Sequence, residues 1–352
     1  MSDQTVKYVC IGCGAIAQRR HLPEIVANPH AELLAVCDVL PDRAKEIAEK
    51  FGAKQHFTDH KKMIAEVDCD VVVVATPNAL HAPMTLDAFA AGRHVLVEKP
   101  MAGTRDEARS MIDAAKKAGK FLMIGMNQRL DPAHVRAKEV LDGGKLGKVL
   151  AFETNFKHPG PDGWSVDGAK SWFFKPDLAV MGVCGDLGIH KADLMRYLLG
   201  EEFDKVGGFV VTQDKTTPDG SKLALDDNAF LELKTDKGTI GSIHISWTNY
   251  GRIEDNGTIL FCENGVMRVG MDKEYGVMVD YQTGKRDRFT TGEMATNEKQ
   301  VASGIVDAMT ESVRNNTPPE IDGSEGFRAL DVVLTGIEAA KEGLIKTVEY
   351  KM

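Results

Sequence analysis

The sequence lacks the features of several classes of protein. No run approaches the roughly 18 consecutive apolar residues that a membrane-spanning helix needs. The first residues, MSDQTVK, contain neither the positive nor the apolar segment of a secretory signal. The six cysteines are scattered over 352 residues and do not form a disulfide framework. We therefore expect a cytoplasmic protein with no membrane partner.

Negatively charged residues outnumber positively charged ones, 52 to 43. The formal net charge is −9 and no basic run is present, whereas binding to a phosphate backbone requires a basic face. Cys10 and Cys13 form a C-x-x-C pair, but no second pair completes a zinc site. We expect no nucleic-acid partner and no metal. Apolar residues make up 43% and charged residues 27%, which is typical of a globular chain, and the length predicts two domains.

The N-terminal segment joins an apolar run to the glycine turn GCGAIA. Residues 6–11 predict a buried parallel strand, because β-branched and aromatic residues follow one another without alternation. Gly12 permits a tight turn, Gly14 lets a pyrophosphate approach the backbone, and Ala17 takes the place of a third glycine. The predicted cofactor contacts in this turn are Gly12, Gly14, Ala15 and Ile16.

Asp38 ends the next predicted strand, where a carboxylate can accept both ribose hydroxyls of an adenosine. A 2′-phosphate within about 4 Å of this carboxylate would be repelled by about 1 to 4 kcal/mol. The sequence therefore predicts NAD as cofactor and disfavours NADP. Arg43 leaves the alternative open, because its guanidinium could shield the adenine or receive a phosphate.

Two further strand ends carry candidate cofactor contacts. The apolar run Val71 to Val74 predicts a buried strand, and ligands bind at the carboxyl ends of such strands. Asn78 could instead cap the helix that follows. The strand from His94 to Val97 leads into Glu98, Lys99 and Pro100. The predicted cofactor contacts after these two strands are Thr76, Pro77, Asn78, His81, Glu98 and Lys99.

The βα alternation stops after a sixth strand, Phe121 to Ile124, which predicts a boundary near Gly125. We expect a doubly wound, parallel Rossmann domain over residues 1–125 and an α/β domain over 126–352. Six short β-rich runs between residues 205 and 279 predict a large, open, mostly antiparallel sheet, followed by helices at 296–315 and 324–341. Because the open sheet needs a partner on its second face, we expect a homodimer or homotetramer.

Asp186 and His190 form the candidate catalytic pair. They are four residues apart, so a helix would place both side chains on one face. His190 suits the removal of a hydroxyl proton, since its ordinary pKa is near 6.5. Asp186 would orient or charge-balance the imidazole. Lys99 would donate to the substrate oxygens and stabilise a developing alkoxide.

These motifs together resemble the family of glucose-fructose oxidoreductase and myo-inositol dehydrogenase. The resemblance rests on GCGAIA, Asp38, the Glu98-Lys99-Pro100 motif and the Asp186/His190 helix. It implies a nicotinamide-dependent enzyme that oxidises or reduces a sugar or cyclitol, in a dimer or tetramer. It also implies that Lys99, Asp186 and His190 are the catalytic group and that the bond before Pro100 is cis.

The same resemblance suggests contacts outside these motifs. Gln128 and Trp172 match positions near the nicotinamide, whereas Arg129, Lys157 and His158 match positions that face the substrate. Lys99, Asp186 and His190 are also expected to contact the substrate. For Gln128 and Arg129 an alternative remains, in which they are polar only because they lie at a hinge or on the surface.

The resulting prediction is an NAD-dependent oxidoreductase that acts on a ring hydroxyl of a sugar, sugar derivative or cyclitol. Two alternatives stay open. One is a ligand-sensing regulator that uses the same scaffold without turnover. The other is glycoside cleavage assisted by transient oxidation, which returns the hydride and produces no net NADH. The sequence does not specify the substrate or the physiological direction.

Overall fold

The first half of the chain forms a parallel sheet of six strands. The computed structural model describes residues 5–251, 254–292 and 302–352. The six strands are β1 (Val6–Ile11), β2 (Ala31–Cys37), β3 (Gln55–Phe57), β4 (Val71–Val74), β5 (His94–Val97) and β6 (Leu122–Ile124). Their order is β3-β2-β1-β4-β5-β6. The direction of winding reverses between β1 and β4, and this reversal opens a crevice at the carboxyl ends of these strands.

Helices cover both faces of this sheet. They are α1 (Leu22–Ala27), α2 (Pro41–Phe51), α3 (His60–Glu66), α4 (His81–Ala90) and α5 (Arg105–Ala118). A π-helical turn, Ala17–His21, leads into α1. Helix α5 begins with a capping box in which Thr104 and Glu107 satisfy each other's backbone N–H groups. The predicted Rossmann fold is confirmed, although α3 was not predicted.

The second half forms a mixed sheet of nine strands. They are β7 (Val149–Lys157), β8 (Phe203–Val211), β9 (Asn228–Thr235), β10 (Ile240–Ser246), β11 (Thr258–Cys262), β12 (Gly265–Val269), β13 (Val277–Tyr281), β14 (Arg286–Phe289) and β15 (Lys346–Thr347). The order is β14-β13-β12-β11-β7-β10-β9-β8-β15. Within the described part of this sheet, only β7 and β10 pair in parallel. The predicted open, mostly antiparallel sheet is therefore confirmed, with β14 and β15 added.

Five further helices follow in the described part of the second half, and three of them contact strands of the larger sheet. They are α6 (Pro132–Asp142), α7 (Pro176–Ala179), α8 (Ile189–Leu199), α9 (Ile305–Asn315) and α10 (Gly323–Glu342). Short 3-10 turns occur at Asn78–Leu80, Asn127–Leu130, Pro161–Gly163, Gly168–Lys170 and Trp172–Phe174, and a second π-helical turn at Cys184–Gly188. In the described residues, no helix has the length and apolar character needed to cross a membrane.

Helix α9 returns to the first half of the molecule. The Tyr8 hydroxyl lies 2.7 Å from the Thr310 hydroxyl, and the Glu24 carboxylate accepts the backbone N–H of Ser303 at 2.7 Å. The boundary near residue 125 consequently stays a prediction, since the two sheets lie on either side of it but α9 packs across it. The helix expected from residue 296 begins only at Ile305 in the described part, and residues 296–301 lie outside that part.

Candidate active site

A cleft opens at the carboxyl ends of β1, β4 and β5 and is closed on its other side by the second half of the chain. It brings together every residue that the sequence predicts as a cofactor contact. These are Gly12, Gly14, Ala15, Ile16, Asp38, Arg43, Thr76, Pro77, Asn78, His81, Glu98, Lys99, Gln128 and Trp172. Asp186 and His190 line the same cleft. One cavity thus joins the dinucleotide motif to the candidate catalytic group.

The glycine turn has the shape that a pyrophosphate requires. Gly12 has φ +92°, and a Cβ added there would overlap the Ala75 carbonyl oxygen. A Cβ on Gly14 would meet no atom within 4 Å, so this position faces open space in the cleft. In the described structure no side chain caps the helical turn that follows, which leaves its N–H groups for an anion.

Asp38 is held by the backbone and keeps acceptor capacity. Its Oδ2 accepts the N–H of Cys13 at 3.0 Å, and its Oδ1 accepts the N–H of Leu40 at 3.0 Å. Since a carboxylate offers about four lone-pair sites, each oxygen can accept one more hydrogen bond. These residues fit the adenosine ribose of NAD. Arg43 is not free beside them, because its Nη2 donates to Asp167 Oδ1 at 2.7 Å.

Lys99 and Asp186 form the centre of the candidate catalytic group. Lys99 Nζ donates to Asp186 Oδ1 at 2.9 Å and to the Asp186 carbonyl oxygen at 2.8 Å. The Lys99–Pro100 bond is cis, as the resemblance implies. Trp247 Nε1 donates to Asp186 Oδ2 at 3.0 Å. Burial alone would raise the pKa of Asp186, but Lys99 and His158 outweigh it and hold this pKa below its ordinary value. Asp186 is therefore an anion that fixes the lysine.

This geometry adds a partner to the role expected for Asp186. The four-residue spacing to His190 assumes an α-helix, whereas Asp186 lies in the π-helical turn and His190 in α8. The carboxylate oxygens accept hydrogen bonds from Lys99 and Trp247, and among the described residues no hydrogen bond joins them to the imidazole. The hydrogen bonds of Asp186 thus orient Lys99, while its negative charge raises the pKa of His190 without outweighing burial. The expected balancing of charge between Asp186 and His190 stays a prediction.

His190 is a buried, neutral imidazole at the edge of the cleft. Burial is the main reason that its pKa lies well below 6.5, and the positive charges of Lys99 and Arg20 lower it further. Within the described residues, its Nδ1 is buried and has no hydrogen-bond partner. The expectation of an ordinary pKa is wrong, but a neutral ring is the state that can accept a proton.

Several cofactor-lining residues also hold the cleft together. Glu98 Oε1 accepts Arg20 Nη1 at 2.9 Å and lies 2.8 Å from His21 Nε2. His81 is fully buried, with Nδ1 at 2.8 Å from the Pro100 carbonyl oxygen and Nε2 at 3.0 Å from that of Thr76. It therefore links the ends of β4 and β5.

Asn78 does not cap the helix that follows it. Its Nδ2 donates to the Ala179 carbonyl oxygen at 2.8 Å, which ties the first half of the chain to α7. Pro77 occupies the capping position of the 3-10 turn that follows, and within the described residues its side chain makes no capping hydrogen bond. Asn78 is thus a cleft residue whose side chain joins the two halves.

Arg129 and Lys157 are not brought into the cleft. Arg129 is buried and donates to Asp193 at 2.8 and 2.6 Å and to Glu325 at 2.6 Å, so it belongs to a structural ion-pair cluster. Lys157 Nζ lies 3.3 Å from Asp255 Oδ2. Their expected substrate contacts stay predictions. The sequence could not reveal these ion-pair partners, because they lie far away along the chain.

His158 lies behind Asp186. Its Nδ1 accepts the N–H of Gly160 at 2.9 Å, which places the N–H of the ring on Nε2, 3.6 Å from Asp186 Oδ2. It consequently acts on the site through Asp186, and its expected contact with the substrate stays a prediction.

Aromatic and amide side chains that were not predicted complete the wall. They are Phe156, Trp164, Phe173, His134 and Asn256. Phe156 lies on the inward face of β7, which its alternation with polar neighbours could have indicated. Trp164 lies in a loop whose path no periodic pattern predicts. In the described part of the chain, no group of three or more potential ligands could hold a metal ion.

Comparison with known proteins identifies the family. Residues 6–126 match the NAD-binding Rossmann fold of the GFO/IDH/MocA oxidoreductase family. Residues 134–268 match the C-terminal domain of the same family. The chain belongs to the GFO/IDH/MocA family. Its membership confirms the predicted family, the oxidoreductase class and NAD as cofactor.

Individual relatives agree with this assignment. A levoglucosan dehydrogenase from Pseudarthrobacter phenanthrenivorans is 31% identical over 236 residues, which span 62% of this chain and 59% of that protein. The scyllo-inositol 2-dehydrogenase (NAD(+)) of Bacillus subtilis is 25% identical over 93% of this chain and 100% of its own length. The crystal structure of the aldose-aldose oxidoreductase from Caulobacter crescentus has a TM-score of 0.83 and 26% identity, with 98% and 100% coverage.

Proposed function

We propose that this member of the GFO/IDH/MocA family is an NAD-dependent dehydrogenase of a sugar, sugar derivative or cyclitol. It would transfer a hydride between the nicotinamide and a ring carbon that carries a hydroxyl group. The observation that supports this proposal most is the position of Lys99 Nζ, fixed by Asp186 in the same cleft as His190 and the dinucleotide turn.

Lys99 is arranged to bind the reacting oxygen. Asp186 occupies two of the three N–H bonds of its ammonium group, and the third remains for a substrate hydroxyl or carbonyl oxygen. A fixed positive charge at this point stabilises the developing alkoxide, because it needs no rearrangement as the negative charge forms. Asp186 thus sets the direction of the ammonium group.

His190 is the proposed acceptor of the hydroxyl proton. NAD, when bound in this cleft, would supply the acceptor for the hydride of the same carbon, so that the C–H and O–H bonds would break as the C=O bond forms. The neutral state of the buried ring keeps its lone pair available at neutral pH. In the reverse reaction, the imidazolium returns the proton to the carbonyl oxygen.

The aromatic wall supports a ring-shaped polyol as substrate. Trp172 and Phe173 stack with their centroids 3.9 Å apart, and Trp164 meets Phe173 edge-on at 5.1 Å. Such faces pack against the C–H faces of a sugar ring, while polar groups at the rim bind its hydroxyls. The named activities of the relatives, on levoglucosan, scyllo-inositol and aldoses, concern substrates of this kind.

The test is an NAD+-coupled assay with hexoses, pentoses, uronates, anhydrosugars and inositols, repeated with NADP+. We expect NADH to appear, as an increase in near-ultraviolet absorbance, with a subset of these compounds. His190→Ala should lower kcat by about 10² to 10⁴-fold and leave NADH binding intact. His30→Ala, at an exposed histidine outside the cleft, is the matched control.

Two other outcomes would favour the alternative functions. Ligand binding without turnover by the native enzyme would indicate a regulator. Sugar products without net NADH would indicate glycoside cleavage through transient oxidation. Unchanged turnover in His190→Ala would contradict the assigned proton acceptor.

We also propose a homodimer formed through the open face of the larger sheet. Phe209 and Phe230 pair across β8 and β9 on this face and are 74% and 43% exposed, and Ile240 on β10 is 56% exposed. An apolar surface of this kind is typical of an interface. Phe209→Glu should shift the molecular mass from dimer to monomer in light scattering, whereas Val26→Glu on α1 should not. A native monomer at micromolar concentration would contradict the proposal.

The cytoplasm remains the proposed compartment. All six cysteines are buried free thiols, which is typical of proteins kept in a reducing environment. Fractionation of the producing cells tests this assignment, because recovery of the protein outside the cytoplasmic fraction would contradict it.

A further inference from the structure

A loop of the second half reaches across the cleft to the adenosine end of the cofactor site. Ser165, Val166 and Asp167 line the same cavity as Asp38 and Arg43, although 124 positions separate Arg43 from Asp167 in the chain. The direct contact is the bond from Arg43 Nη2 to Asp167 Oδ1, at 2.7 Å. The binding surface for adenosine is consequently formed by both halves.

The loop that carries Asp167 is fixed by its own contacts. Ser165 Oγ donates to Ser171 Oγ at 2.9 Å, and Lys215 Nζ donates to Asp162 Oδ1 at 2.9 Å. The 3-10 turns Pro161–Gly163 and Gly168–Lys170 lie on either side of Asp167. The carboxylate is therefore presented to Arg43 by a structured segment.

The pairing changes the electrostatics at the ribose 2′ position. Arg43 is the cation beside Asp38, and a free guanidinium there could bind a 2′-phosphate in a bidentate manner. Asp167 occupies this guanidinium and adds a second carboxylate at the same end of the cleft. A 2′-phosphate would meet two negative charges and a cation that is already neutralised.

We propose that Asp167 is a second determinant of the preference for NAD over NADP, acting from the opposite half of the molecule by holding Arg43. The inference rests on one part of the proposed function, the binding of NAD in this cleft. It assigns a cofactor-specificity role to a residue outside the Rossmann motif. Asp38 repels the phosphate directly, whereas Asp167 withholds the group that would bind it.

The test compares the affinities of 2′,5′-ADP and 5′-AMP by calorimetry, because these probes report on the adenosine end without any substrate. Asp167→Asn should raise the affinity for 2′,5′-ADP relative to 5′-AMP by about tenfold, which corresponds to one charge-assisted hydrogen bond. The same change should raise kcat/KM with NADP+ relative to NAD+. Asp177→Asn removes an exposed carboxylate from α7, outside the cleft, and should leave both ratios unchanged.

A double variant separates this role from a general change of charge. The gain should disappear in Asp167→Asn combined with Arg43→Ala, since it requires the released guanidinium. The pair is partly exposed, with side-chain exposures of 23% for Arg43 and 37% for Asp167, so its loss should cost little stability. Circular dichroism of each variant checks the fold.

Three results would overturn the proposal. The first is an unchanged affinity ratio in folded Asp167→Asn, and the second is a gain that persists without Arg43. The third is a native protein that binds neither 2′,5′-ADP nor 5′-AMP. Binding of NADH and turnover by the native protein are measured separately. A protein that binds both probes without turnover would contradict the proposed function. The role of Asp167 would then still be decided by the affinity for 2′,5′-ADP relative to 5′-AMP.

Discussion

Replacement of Trp247 by phenylalanine tests whether a residue outside the cleft positions Lys99, the proposed donor to the reacting oxygen. Trp247 is fully buried, and its Nε1 donates to Asp186 Oδ2 at 3.0 Å. Phenylalanine keeps an aromatic ring but removes the donor. The second oxygen of a buried carboxylate then loses its hydrogen bond at the point where Asp186 fixes Lys99.

The size of the effect follows from these contacts. A hydrogen bond to a charged group contributes about 1.5 to 3 kcal/mol. Weaker edge-on contacts of the smaller ring to Phe173 and Phe174 add up to about 1 kcal/mol. We expect Trp247→Phe to lower the free energy of unfolding by about 2 to 4 kcal/mol and kcat by at least about tenfold.

Urea unfolding and steady-state kinetics measure the two effects. Because the adenosine site is untouched, the KM for NAD should stay near its native value while kcat falls. Trp172→Phe makes the same change at a tryptophan of the cleft wall that does not bond to Asp186. It therefore shows the effect of the smaller ring alone. A Trp247→Phe enzyme with native kcat would refute the positioning role, even if its stability were reduced.

Three further predictions concern other parts of the site. Since the pKa of His190 lies well below 6.5, kcat/KM should stay constant as the pH falls to 6.5 and decline only below it, where the ring gains a proton; a decline centred at 6.5 or above in the pH profile would contradict this. Gly12→Ala should weaken NADH binding at least about tenfold in a fluorescence titration, because its Cβ would overlap a carbonyl oxygen, whereas Gly52→Ala, also at positive φ but in open space, should not. Arg129→Met should lower the free energy of unfolding, measured in urea, by about 3 to 5 kcal/mol, since it leaves Asp193 buried without its partner. An unchanged stability with a raised KM for the substrate would instead favour a contact between Arg129 and the substrate.

Much of the first half could be predicted from the sequence because its signals are local. The apolar run Val71–Val74 forms a buried strand, and Gly12 and Asp38 lie within one βαβ unit whose geometry is common to dinucleotide-binding folds. The strand β14, in contrast, has the sequence RDRF and no apolar alternation. Its place at the edge of the sheet depends on pairing with β13, which local propensity does not determine.

The sequence by itself determined the dinucleotide motif and the candidate residues for the chemistry, and the tertiary structure decided which of them meet. Periodicity places Asp186 and His190 near each other on one segment, but it does not show that Asp186 bonds to Lys99, 87 positions away, and to Trp247, 61 positions away. The bond between Arg43 and Asp167 joins residues 124 positions apart. Such pairs form because the packing of the two sheets brings distant side chains together, and a pattern with a period of a few residues contains no record of that packing.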